Sequence, residues 1–335
     1  MNAGFNVLWL QSGGCGGCSM SLLCAESPDL LRTLEGAGIH LLWHPSLSEQ
    51  SGAEVRRLLE RCARGEERVD ALCVEGAMLR GPNGSGRFHL MAGSGRPMIA
   101  WVRDLAAVAR HTLAIGSCAA YGGVSAAGDN ITEACGLQYD GTLAGGLLGE
   151  GYRARGGLPA INVAGCPTHP NWVTETLMRL ALGNFAEDDL DGFGRPRMYA
   201  DRLVHHGCLR NEYYEYKASA EKSSDLGCLM ENLGCMGTLA HADCNSRLWN
   251  GEGSCTRGGY ACINCTQPGF EEPGHAFQQT PKIAGIPVGL PTDMPKAWFV
   301  VLSSLSKSAT PKRLKENAVA DHQVVPPTLR KGKPR

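Results

Sequence analysis

NVLWLQSGGCGGCSM, residues 6–20, opens as an apolar run that suits a buried strand and passes without a break into a turn of glycine, serine and cysteine. The same grammar recurs along the first ~180 residues. IHLLW (39–43), VDALCV (69–74), TLAIGS (112–117) and AINVAG (160–165) read as further strands, and 53–64, 98–110 and 170–182 carry helical periodicity between several of them. Strands alternating with helices predict an α/β domain around a parallel sheet. In such open sheets ligands bind beyond the carboxyl ends of the strands. Cys15 and Cys18 stand there after the first strand, Cys118 after TLAIGS and Cys166 after INVAG. Topology, not sequence proximity, would bring these four together. The glycines around them let backbone N–H groups approach closely, and Pro167 stiffens the turn after Cys166. A lone C-x2-C also suits a redox dithiol or half of a zinc site, but the wide spacing of the four differs from the compact knuckles of structural zinc.

Composition narrows the function classes. The chain has 335 residues, 43% hydrophobic and 19% charged, enough for two domains with a sizeable core. A net charge of -1 gives no global attraction to nucleic acid or anionic lipid. The most apolar stretch, AWFVVLSSL (297–305), is about half of the ~20 residues that a spanning helix needs. MNAGFNVLWLQSGG shows neither a basic region followed by an apolar one nor a twin-arginine pair, so the expectation is a cytoplasmic protein without a membrane span. Fifteen cysteines are too many for disulfides in a reducing compartment, and metal ligation is the default reading.

After residue 190 periodicity gives way to short pieces rich in glycine and cysteine, which suggests a segment organised by cofactors. Beyond residue 200 the candidate ligands are His205, Cys208, Cys228, Cys235, Cys244, Cys255, Cys262 and Cys265, eight in all and enough for two four-ligand sites. His205-x2-Cys208 and Cys262-x2-Cys265 let one backbone turn present two ligands to one centre. His206 is the rival of His205, which is preferred for the two-residue gap. Cys62 and Cys73 lie in helix-like and strand-like runs that suit buried packing, and Cys24 and Cys135 carry no assignment.

LWLQSGGCGGC, VEG (74–76), GSCAAYGG (116–123), AGCPTHP (164–170), HHGC (205–208), GCLMENLGCMG (227–237) and CTRGGYACINCTQPGF (255–270), in this order, resemble the small subunit of nickel-iron hydrogenases from about residue 5 to 280. The resemblance implies a flavodoxin-like parallel-sheet domain (1–185) holding a proximal cluster, an irregular iron–sulfur cluster-binding domain (186–285) and a C-terminal extension with a basic tail (286–335). It implies three 4Fe-4S clusters: a proximal one on Cys15, Cys18, Cys118 and Cys166, a distal one on His205, Cys208, Cys228 and Cys235, and a medial one on Cys244, Cys255, Cys262 and Cys265. Most of the family has proline where this chain has Cys255, and a 3Fe-4S medial centre; a fourth thiolate implies a cubane. Glu75 matches a glutamate beside the proximal cluster. The gap between Cys228 and Cys235 is one residue longer than usual. Gly17 and Gly123 stand where oxygen-tolerant membrane-bound members have extra cysteines, so the proximal cluster should be a conventional cubane.

No spare pair of C-x2-C motifs remains for nickel, so the nickel-iron centre belongs on a large subunit, in an obligate heterodimer or a dimer of heterodimers. GGCGGC, Cys255 and the missing leader make the chain look like the hydrogen-sensing type, whose partner would include a signalling histidine kinase; an uptake hydrogenase is the alternative. A subunit of a respiratory quinone reductase would share the N-terminal fold but not the eight further ligands. The tail after Ser306, with eight basic and two acidic residues, reads as flexible.

Overall fold

The computed structural model describes residues 4–272, 279–287 and 295–327. The chain divides into two compact units. One comprises Met1–Asp201, Trp249–Gly251 and Cys265–His275; the other comprises Arg202–Leu248, Glu252–Asn264 and Ala276–Arg335.

All five apolar runs of the first unit form strands: β1 (Phe5–Gln11), β2 (Ile39–Trp43), β3 (Ala71–Glu75), β4 (His111–Ile115) and β5 (Ile161–Val163). They build one sheet in the order β2-β1-β3-β4-β5, with every pair parallel. This is the flavodoxin-like order, whose switch point lies between β1 and β3. Every residue of β3 and β4 is buried, which explains why these strands read as apolar runs without alternation. On one face Leu8, Leu10, Leu72, Val74 and Ala114 meet Val55 and Leu59 of helix α2 (Gly52–Ala63) and Trp101, Val102 and Leu105 of α3 (Met98–Val108). Val7, Trp9, Cys73 and Leu113, at the alternate positions, are likewise fully buried. Short α1 (Gly17–Leu22) follows β1 and packs against α5 (Pro170–Ala181); α4 (Ser117–Tyr121) follows β4.

Register decides what this sheet presents at its carboxyl end. Gln11 pairs with Glu75, Glu75 with Ile115 and Ile115 with Val163, so β1, β3, β4 and β5 end abreast. The turns that follow them carry the four cysteines.

The second unit contains little regular structure. Its described residues include two small apolar clusters, one of Ala220, Leu229 and Leu233, the other of Ala218, Leu314 and Ala318. The latter corrects the expectation of a flexible tail. Helix α7 (Lys296–Ala309) is followed by α8 (Lys312–Asn317), which buries Leu314 completely and Asn317 and Ala318 almost so. Leu314 and Ala318, one turn apart, make an apolar pair too short to show as periodicity. Arg330, Lys331, Lys333 and Arg335, half of the basic residues of that tail, lie outside the described residues.

Candidate metal centres

Within the first unit the thiols of Cys15, Cys18, Cys118 and Cys166 act on one another. Burial pushes Cys18 far up, reinforced by Glu75, Cys118 and Cys166. Burial, with Cys166 and Cys15, pushes Cys118 up to about 11, and burial, with Cys265, Cys15 and Glu271, pushes Cys166 up to about 11. Cys18, Cys118 and Cys166, raised in this way, need a positive centre to become thiolates.

The space around their sulfurs is kept by glycine. A Cβ on Gly116 would stand 2.5 Å from the Cys18 sulfur, and one on Gly123 would stand 2.9 Å from that of Cys118. Gly116 has φ 84° and ψ 161°, a backbone conformation essentially closed to other residues.

Glu75 ends β3 at the switch point and is 3% exposed. Its Oε1 accepts the N–H groups of Cys18 (3.0 Å) and Ser19 (3.1 Å). Its Oε2 accepts from Trp9 Nε1 (3.3 Å), Gln11 Nε2 (3.1 Å) and the Ser19 hydroxyl. Five donors offset the burial of its charge, each such bond contributing about 1.5–3 kcal/mol. Gly16, which precedes α1, has no side chain to cap it. The carboxylate from β3 therefore takes over the free amides of that first turn and locks the loop bearing Cys15 and Cys18 to the sheet. Sequence reading found Glu75 but missed Trp9, Gln11 and Ser19, because each sits within or just after an apolar strand and only register brings them to one carboxylate.

In the second unit His205, Cys208, Cys228 and Cys235 line a single cavity, together with Arg210, Tyr214, Asn245 and Thr256. His206 does not line it; its exposed ring turns back, and Nδ1 accepts from Leu203 N at 3.3 Å. The His205 ring lies edge-on to Tyr214, with centroids 4.4 Å apart, and burial lowers its pKa, favouring the neutral form that ligates metals. Burial pushes Cys228 up to about 12 and Cys235 upward as well, the neighbouring thiols adding to both. Arg210 N donates to Cys208 Sγ at 3.4 Å, and the guanidinium donates to the carbonyls of Thr256 (3.0 Å), Asp225 (2.6 Å) and Gly227 (2.6 Å). Nothing in the sequence beyond its place two residues after Cys208 marked Arg210.

The remaining four candidates are divided between the units. Cys244, Cys255 and Cys262 belong to the second unit, where Cys255 is exposed and Cys262 buried. The Cys262 N–H donates to Cys235 Sγ at 3.4 Å, so one hydrogen bond joins a medial candidate to a distal one. Cys265 belongs to the first unit, where its carbonyl accepts the Ser117 hydroxyl. Cys62, Cys73 and Cys135 are fully buried, and Cys24 is exposed.

Among the described residues no three His, Cys, Asp or Glu side chains are gathered tightly enough for a single metal ion. Zinc–sulfur bonds of about 2.3 Å would demand such a gathering, whereas a polynuclear centre spreads its thiolates over its own width. Thiol-rich donor sets, cleared of Cβ atoms in the first unit and lining a cavity in the second, fit a cluster of that kind.

A parallel sheet with cysteines along its carboxyl edge and a second unit with a thiol-lined cavity define the class: an α/β protein with donor sets suited to metal centres. Residues 15–180 match the family described as NADH ubiquinone oxidoreductase, 20 Kd subunit, and residues 200–278 match the family of C-terminal regions of NiFe/NiFeSe hydrogenase small subunits. The F420 non-reducing hydrogenase II small subunit of Methanosarcina mazei is 35% identical over 290 residues, 79% of this chain and 73% of that protein. The periplasmic NiFeSe hydrogenase small subunit of Desulfomicrobium baculatum is 31% identical over 285 residues, 79% of this chain and 84% of that protein. Among solved structures, an actinobacterial-type NiFe-hydrogenase from Ralstonia eutropha H16 has a TM-score of 0.75 at 30% identity, covering 98% of this chain and 96% of that one. The chain belongs to the small-subunit family of nickel-iron hydrogenases. The first match explains why a quinone-reductase subunit was the competing reading for the N-terminal half; the second separates the two.

Proposed function

We propose that this chain is the electron exit of a hydrogenase whose nickel site lies on a partner large subunit, and that three 4Fe-4S clusters form the exit. The observation that carries the reading is the convergence of Cys15, Cys18, Cys118 and Cys166 at the carboxyl edge of the sheet, with four further candidate ligands around one cavity of the second unit. The proximal cluster is assigned to the first set, the distal cluster to His205, Cys208, Cys228 and Cys235, and the medial cluster to Cys244, Cys255, Cys262 and Cys265. When bound, the clusters supply one-electron transfer at potentials set by charge, hydrogen bonds to sulfur and solvent exposure.

The chain's own groups act on those variables. Glu75 holds the first ligand loop rigid. Arg210 N and Cys262 N donate to ligand sulfurs, which favours the reduced state. The neutral ring of His205 leaves its site less negative than four thiolates would. Gly116 and Gly123 leave room for the sulfurs of Cys18 and Cys118.

The assembled complex would take electrons from hydrogen, serving either uptake or sensing. Sensing rests on GGCGGC and Cys255 and assigns a signalling histidine kinase as partner. Uptake is the alternative reading. Pairing of two heterodimers would suit the exposed apolar stripe of α7, Trp298, Val301, Leu302 and Leu305. No helix among the described residues is long and apolar enough to cross a membrane, and a cytoplasmic location is part of the proposal.

Hydrogen-dependent dye reduction should appear only when this chain is produced with its large subunit. Activity of this chain alone would overturn the division of labour. Deleting the gene should abolish hydrogen consumption; if consumption persists and only hydrogen-dependent gene induction is lost, the chain is a sensor.

A further inference from the structure

Cys228, assigned above to the distal cluster, sits in a segment held from both sides. Its N–H donates to Ala218 O at 3.1 Å, and its carbonyl accepts from Ala220 N at 3.0 Å. The two residues before it turn to the C-terminal segment: Gly227 N donates to Ala318 O at 3.0 Å and Leu226 N to Ala320 O at 2.9 Å. Approach is so close at Gly227 that a Cβ there would stand 2.6 Å from Ala318 O. Leu314 seals the arrangement by burying itself against Ala218 and Tyr213, and Asn317 fastens the following turn through both bonds to the backbone of Val325 (2.8 Å each).

The same segment grips the other half of the cavity. Arg313 pairs with Glu212 in α6 (Asn211–Glu215), between Cys208 and the cavity-lining Tyr214. Thr310 donates to Tyr216 O at 2.8 Å. Lys307 reaches Glu231, three residues beyond Cys228, at 2.6 Å. Segments 205–216 and 226–231 carry three of the four cavity ligands, and no regular sheet joins them. The C-terminal segment touches both.

We infer that residues 307–325 form a strap that positions Cys228 and sets the shape of the distal cluster site; the inference rests on the distal assignment made above. Leu314 is its positioning residue, acting through Ala218 and Tyr213. The strap also accounts for a buried apolar pair in a stretch otherwise composed like a solvated tail.

The test uses the complex with its large subunit, and defines the distal signal as the spectroscopic and redox signature that Cys228→Ser removes. Ending the chain after Pro311, or making Leu314→Asp, should weaken distal cluster retention ~10–100-fold or shift its midpoint, with the other two clusters kept. Leu314→Met should behave as wild type. A distal signal unchanged in both disruptive variants, in a preparation where Cys228→Ser removes it, overturns the strap and leaves the site intact. Loss of all clusters together in Leu314→Asp overturns it too, since that is a general folding role. If Cys228→Ser removes no signal, the distal assignment itself is what fails.

Discussion

Gly116→Ala is expected to strip the proximal site of its cluster while the chain still folds. The substitution forces a side chain into φ 84°, ψ 161°, at a strain of about 1–3 kcal/mol, and places its Cβ 2.5 Å from the Cys18 sulfur. Neither partner can retreat: Gly116 continues β4 into α4, and Cys18 is fastened through its own N–H to Glu75. Strain of this size is small beside the stability of a five-stranded domain, so the damage falls on the metal site. Iron retained at the proximal position should drop ~10–100-fold, with hydrogen-dependent electron flow falling in step. Gly149→Ala is the control, because Gly149 also has a positive φ (86°) but faces open space. It should keep its iron. Equal iron in the two variants would show that Gly116 does not guard the cluster.

Cys255→Pro is expected to change the kind of medial centre. Cys255 lies exposed in the second unit, and the resemblance implies that most of the family has proline there with a 3Fe-4S centre. On the medial assignment proposed above, a thiolate in that place would hold a fourth iron, so the wild-type complex, oxidised in air, should lack the paramagnetic signal of an oxidised 3Fe-4S cluster. Cys255→Pro should gain it and lose one iron per chain. Cys255→Ser separates the ligand from the backbone: a hydroxyl in the same place keeps the N–H that proline lacks. If the wild-type complex already carries the signal in full, Cys255 is not a ligand and the medial site has three thiolates.

The sheet was legible because its central strands are buried on both faces and hence carry apolar runs, Val7–Leu10 in β1 and Ala71–Val74 in β3. The strand-end cysteines were legible for a topological reason, since a parallel sheet puts every β-to-α turn on one edge. What escaped depends on register or on small apolar groups. Five donors meet at Glu75 only because Gln11 and Glu75 pair across β1 and β3. Spacing favoured His205 over His206 without deciding between them; the short turn at 204–207 directs one ring into the cavity and folds the other back on Leu203. The tail misled because eight basic residues outweigh one buried leucine in composition, while in the structure Leu314, at 0% exposure, decides how the segment lies.

Metal analysis of the isolated chain bears most directly on the account. An electron-carrying subunit with all its thiol pairs committed to clusters should contain iron and acid-labile sulfide in about equal amounts, with negligible nickel. Stoichiometric nickel bound without the partner subunit, or zinc in place of iron and sulfide, would contradict it.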